Sequence, residues 1–127
     1  MGSDSLFDIR VESRNGVARV AVVGELDMAT ASTLGDEIVG AERDGVRNVM
    51  LDVRDVSFVD SSGLHVMVQA WQRAQLNGHG FVVVGASRAA RRLCDVAGTA
   101  FLLDDPSATH VLDEFAQGEQ TTRGESA

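Results

Sequence analysis

Apolar and polar residues alternate through LFDIRVE (6–12): Leu6, Asp8, Arg10 and Glu12 fall on one side, Phe7, Ile9 and Val11 on the other. A period of two marks a strand with one face in a core. Arg14, Asn15 and Gly16 follow, and an Asn-Gly pair favours a tight hairpin turn. VARVAVVG (17–24) is therefore predicted as the partner strand, released at Gly24. Beyond it the spacing changes. Ala31, Leu34, Ile38 and Ala41 recur at three- and four-residue intervals, the pattern of a helix with one buried side. Asp27 or Thr30 is placed to cap that helix and Gly45 to end it.

RNVMLDV (47–53) is a short apolar run between polar residues and reads as a buried strand. RDVSFV (54–59) reads as a connector anchored by Val56, Phe58 and Val59. A second helix is predicted from near Ser62 to about Leu76, burying Leu64, Met67, Val68 and Trp71, with NGHG (77–80) as its stop. FVVVG (81–85) is the most hydrophobic strand and for that reason is expected at the centre of the sheet. SRAARRLCDVAG (87–98) gives a third helix capped by Ser87, burying Ala90, Leu93, Cys94 and Ala97 and ending at Gly98. AFLL (100–103) is expected as a short strand, and DPSATHVLDEFAQ (105–117) as a last helix with Val111, Leu112 and Phe115 inward. Residues 1–5 and the polar GEQTTRGESA (118–127) read as flexible ends. The predicted order is β-β-α-β-α-β-α-β-α. It is an α/β fold of one domain over residues 6–117, with a mixed sheet of about four to five strands covered by helices.

Charge narrows the partners. Nineteen Asp and Glu against 11 Lys and Arg give a formal net charge of −8. Such a surface disfavours phosphate backbones and anionic lipid, so neither nucleic acid nor a membrane is an expected partner. Arg88, Arg91 and Arg92 crowd into SRAARR (87–92) as a local exception, either a solvated helix face or a contact for an acidic partner. No apolar run approaches the roughly 18–20 residues of a membrane span. The start of the chain has neither the basic flank nor the apolar core of a secretory signal, so a cytoplasmic location is expected. One cysteine, Cys94, excludes an internal disulfide.

Enzyme chemistry finds little support. His65, His79 and His110 are scattered, form no close ligand pair with Cys94, and read as solvent-facing, so no metal site is expected. There is no phosphate-binding loop or dinucleotide glycine pattern, and no cofactor is expected. The serines of DSSGL lack the first glycine of a hydrolase nucleophile elbow. What stands out is Asp60, Ser61 and Ser62 together at one helix start, followed by Gly63, which leaves the backbone unshadowed. One cap needs one side chain, so at least one hydroxyl stays free. A phosphate there would sit at the positive end of a helix and change the surface without melting the fold. The loops after the second strand and before the second helix both follow carboxyl ends of strands and are expected to be neighbours. That brings Glu25 and Asp27 towards the serines, Asp27 as a helix cap or as an acidic contact.

GELDMATASTL (24–34), LDVRDVSFVDSSGLHVMV (51–68) and GFVVVGASRAARRLCDVAG (80–98) resemble the STAS domain, specifically the bacterial anti-sigma factor antagonists, across residues 7–115. The resemblance implies a STAS-type fold and a binding module rather than a catalyst. In such proteins the unphosphorylated form binds an anti-sigma factor, often itself a serine kinase of the GHKL type, and frees the sigma factor. The kinase phosphorylates the first serine of Asp-Ser-Ser-Gly, the antagonist lets go, and a PP2C-type phosphatase resets it. By resemblance Ser61 is the phosphoacceptor, with Ser62 the second choice. The partner surface takes in Asp27, Thr30, Asp60, Ser61, Ser62, Gly63, Leu64 and His65, with Arg88 and Arg91 from the third helix. His65 departs from the pattern, standing where many relatives carry a small residue, often glycine. The rival role is an accessory subunit of a membrane lipid or anion transporter complex, docked on its ATPase.

Overall fold

Asn15 and Gly16 alone turn the chain between β1 (Asp8–Arg14) and β2 (Val17–Leu26), with Arg14 opposite Val17 in the antiparallel register. Both turn residues have positive φ, 52° and 78°, the left-handed pair whose twist matches the flanking strands. The structure is a computed structural model and describes residues 7–118 and 120–122. β3 (Asn48–Val59) lies parallel to β2, and β4 (Gly80–Val84) lies parallel to β3. A short β5 (Gln120–Thr122) pairs antiparallel with β1, so the sheet runs β4-β3-β2-β1-β5.

Helices α1 (Ala31–Arg43), α2 (Ser61–Asn77) and α3 (Arg88–Ala97) share one core with one face of the sheet. Leu34, Ile38 and Met67 are fully buried there against Val20, Leu51 and Val53. Burial of each such side chain stabilises by about 1.5–3 kcal/mol. α4 (Ala108–Gln117) covers part of the opposite face, setting Val111 and Phe115 on Val17, Met50, Val82 and Val84. Beside that patch the same face carries Asp52, 2% exposed, held by Arg19 at 2.7 Å and Arg54 at 3.2 Å.

Several expectations are corrected. β4 is an edge strand, not a central one. Its uniform hydrophobicity comes from helices on both faces: Phe81 and Val83 join one core, Val82 and Val84 the other. Residues 54–59 are no connector but the second half of β3. Two register shifts put extra residues on β3: Ala21 faces Asp52 and Val23 faces Asp55, then Gly24 faces Val56 and Glu25 faces Phe58. Such bulges break the period-two pattern; the buried residues Val53, Val56 and Val59 fall every third position instead. The strand expected at 100–103 is a single 3-10 turn, Ala100–Leu102, closed locally by the Leu103 N–H donating to the Ala100 carbonyl. That local bond leaves it no place in a ladder, with Leu102 buried in the core and Leu103 packed partly against it.

Part of the expected flexible end, residues 120–122, is strand β5; residues 1–6, 119 and 123–127 lie outside the described residues. Ala97 is exposed rather than buried because Gly98, at φ 75°, ends α3 just after it. Leu112 is likewise on the surface side of α4. Val68 and Trp71 are only half-buried, Trp71 edge-on to Phe101 at 5.1 Å. His79 does not face solvent: its ring is 14% exposed and lies 3.7 Å from the Glu42 carboxylate.

Candidate functional site

Leu26 and Val59, the last residues of β2 and β3, are paired across the ladder. Just beyond them the Asp60 N–H donates to the Leu26 carbonyl at 3.1 Å. The two loops expected to be neighbours are thereby tied together. The upstream loop satisfies its own polar groups. The Asp27 carboxylate accepts from the N–H groups of Ala29 and Thr30, at 2.9 and 3.1 Å. The Thr30 hydroxyl accepts from the Asp27 N–H at 2.9 Å and donates to the Glu25 carbonyl at 2.8 Å. Thr30 occupies the cap position of α1 without capping it by its side chain. Asp27 therefore serves as the keystone of an Asx-type turn, whose tip presents Met28 at 80% exposure.

The downstream loop resolves the crowding of Asp60, Ser61 and Ser62. Asp60 is extended, and its Oδ1 accepts from the N–H groups of Ser62 and Gly63 at 2.8 and 3.3 Å. It is the cap. Ser61 is the first residue of α2, exposed, with no hydrogen-bond partner for its hydroxyl among the described residues. Ser62 is half-buried. A phosphate on Ser61 would lie at the positive end of a 17-residue helix. The Asp60 carboxylate already holds two of the amides there, so the new dianion would add charge to the surface rather than find a ready-made cradle.

Gly63 has a packing role that its sequence position did not suggest. A Cβ there would lie 2.7 Å from Leu26 Cγ and 3.0 Å from the Leu26 carbonyl oxygen. Absence of a side chain is what lets the first turn of α2 sit on the end of β2. Leu64 turns into the core, whereas His65 is exposed in the groove between α1 and α2, with Met28, Ser62 and Val66.

The arginines of α3 separate. Arg92 lies with Ala89, Leu93 and Val96 in a hollow beside Phe58 and Val59. Arg91 is bound to Asp104 at 3.0 Å, and that hydrogen bond holds its guanidinium firmly protonated. Arg91 and Arg88 line a different hollow, with Val84, Gly85, Thr109 and Leu112. Asp27, Thr30, Asp60, Ser61, Ser62 and Gly63 are thus brought together, while Arg88 and Arg91 are not part of that cluster. Sequence reasoning did not single out Met28, Phe58 and Val96 as surface residues; they are 80%, 48% and 81% exposed. Met28 sits in a turn, Val96 lies on the stripe of α3 that faces away from the core, and Phe58, expected as an apolar anchor, points outward beyond the second bulge of β3. Cys94 is buried, and desolvation pushes its thiol up, so it is held as the unreactive protonated form. Among the described residues no His, Cys, Asp and Glu cluster has the form of a metal site, and no helix is long and apolar enough to cross a membrane.

The family model for the STAS domain matches residues 8–114. The chain is 30% identical over 105 residues to an anti-sigma-B factor antagonist of Staphylococcus epidermidis, covering 83% of this chain and 97% of that one. It superposes on the crystal structure of an anti-sigma factor antagonist from Mycobacterium paratuberculosis with a TM-score of 0.75 and 26% identity, over 92% of this chain and 100% of the other. The phosphorylated form of the Bacillus cell fate determinant SpoIIAA shares the fold at 18% identity and a TM-score of 0.62, over 84% and 96% of the two chains. With a match that runs from the first strand into the last helix, and relatives of nearly its own length, this chain belongs to the STAS domain family.

Proposed function

We propose that this chain is an anti-sigma factor antagonist whose binding is switched at Ser61. The unphosphorylated protein docks on an anti-sigma factor, a serine kinase of the GHKL type, and so releases the sigma factor. Phosphorylation of Ser61 ends the contact, and a PP2C-type phosphatase restores it. One observation carries this reading: the Ser61 hydroxyl is exposed at the head of α2 and unneeded for the cap, which Asp60 supplies. The names of the relatives, antagonists of nearly the same length, support it. So does the setting of Met28 and Phe58 on the adjoining loop and strand end, since apolar side chains at a polar rim suit a protein partner.

The energetics suit a switch. A difference of about 2.8 kcal/mol in binding is a hundredfold in Kd. Burying an uncompensated dianion against a partner costs several kcal/mol. The test is a paired capture from lysate with Ser61→Ala and Ser61→Asp baits, the bound proteins identified by mass spectrometry. A GHKL-type kinase should be retained by the alanine bait and lost from the aspartate bait. Equal retention by both, or retention of a transporter ATPase by both, overturns the proposal. Phosphopeptide mapping after incubation with the captured kinase and ATP separates Ser61 from Ser62.

A further inference from the structure

The ladder of β3 changes along its length. Residues 48–52 are paired on both sides, with β2 and with β4, and β4 ends at Val84 opposite Asp52. Residues 55–59 go on pairing with β2 as far as Val59, and among the described residues their other edge has no backbone partner. An open strand edge presents N–H and C=O groups ready to pair with another chain. α3 runs beside this edge and lines the hollow with Ala89, Arg92, Leu93 and Val96. The spacing is i, i+3, i+4, i+7, one continuous stripe, and Val96 is 81% exposed. Phe58 and Val59 form the strand side. Arg92 is exposed and forms no ion pair among the described residues, whereas Arg91 beside it holds Asp104 and Asp95.

We infer that this hollow takes an extended, acidic segment of a partner protein, added as a strand to residues 55–59 of β3. Backbone bonds along the free edge supply the affinity. Alternate apolar side chains of the segment pack on Phe58, Leu93 and Val96, and a carboxylate pairs with Arg92. An open edge, a helical stripe of the right period and a cation without a partner are separate features, and this one occupant satisfies all three. A helix laid on α3 would leave the strand edge unpaired, and a wholly apolar strand would leave Arg92 unpaired. The inference rests on the proposed function and deepens it by stating how the partner is held. Ser61 stands two residues beyond Val59, so a phosphate there brings negative charge to the end of the hollow where an acidic segment must lie.

Selection of random peptides displayed on phage against the full chain tests this, with Val96→Glu and Arg92→Glu as counter-selection. Both side chains are exposed, and unchanged melting will verify that the variants fold. The wild type should enrich sequences with alternating apolar residues and at least one Asp or Glu. The best of these, made synthetically, should slow hydrogen exchange of amides in residues 55–59. Its affinity should fall about tenfold on Val96→Glu, which sets a charge in the apolar hollow, and about tenfold on Arg92→Glu, which opposes like charges. N-methylation of alternate amides of the peptide should abolish binding. The inference is overturned by no enrichment, by peptides that bind the variants equally, by helical peptides, or by unchanged exchange at 55–59. It is also overturned if sedimentation shows that a second copy of this chain occupies the edge. Kinase capture separates the two levels. If Ser61→Asp releases the kinase while Val96→Glu retains it, strand addition fails and the switch stands. If the Ser61 variants do not differ, the functional reading itself fails.

Discussion

At the amino ends of β2, β3 and β4 the loops are bonded to one another, and at the carboxyl ends each loop is bonded mainly to itself. At the first end the N–H groups of Arg47 and Asn48 donate to the Gly16 carbonyl at 2.8 and 3.2 Å, and the Gly80 N–H donates to the Arg47 carbonyl at 2.9 Å. The Arg47 guanidinium reaches the Asn15 carbonyl at 2.8 Å. Arg73 of α2 grips Glu42 of α1 with two bonds, 2.9 and 3.2 Å, and His79 packs against the same carboxylate. At the second end the Asp60–Leu26 backbone bond joins the loops, while Asp27, Thr30 and Asp60 satisfy groups of their own segments. Met28, Phe58 and Ser61 are left facing outward. One end secures the fold. At the other, side chains change what the surface offers without deciding whether the chain folds, which is where a binding switch belongs.

The sharpest break in that contrast comes from the closed end. Arg73→Ala strips a largely buried carboxylate, Glu42 with 12% of its side chain exposed, of its bidentate partner. It should cost about 2–3 kcal/mol in urea unfolding, with kinase capture unchanged in the molecules that remain folded. Gly63→Ala is the exception at the open end, because its methyl would press on the Leu26 carbonyl. It should cost about 2 kcal/mol and weaken partner binding by displacing the head of α2. Asp60→Ala removes the acceptor for two helix N–H groups and should cost about 1 kcal/mol, with Asp60→Ser recovering most of it. Ser61→Ala and Ser61→Asp come last, each within about 0.5 kcal/mol of the parent. A large loss of stability in either Ser61 variant would erase the distinction between the two ends.

What the sequence made legible was what is local. The Asn15-Gly16 hairpin, the buried side of α1 and the surplus of capping side chains at 60–62 depend on residues within a turn of one another, although which of the three caps α2 came only with the structure. Most of the features that escaped depend on distant partners. Gly63 is explained by Leu26, which only the parallel ladder brings beneath it. Bulges hid the second half of β3 because they destroy the alternation that identifies a strand. Hydrophobicity on both faces could not distinguish an edge strand from a central one at β4, since helices on each side demand the same residues. Four apolar residues at 100–103 fit a strand or a turn equally by composition, and local bonds decided for the turn. Arg91 and Arg92 look like one patch in sequence, yet successive residues of a helix point about 100° apart. So one meets Asp104 and the other faces the hollow beside Phe58.

The most direct measurement is made on protein carrying stoichiometric phosphoserine at position 61, with Kd for the captured kinase and the melting temperature determined on the same sample. The account predicts a Kd raised at least about a hundredfold and a melting temperature within about 2 °C of the unmodified chain. An unchanged Kd would contradict the switch. A weakened Kd accompanied by a collapse in melting temperature would contradict the claim that Ser61 acts through the surface rather than through the fold.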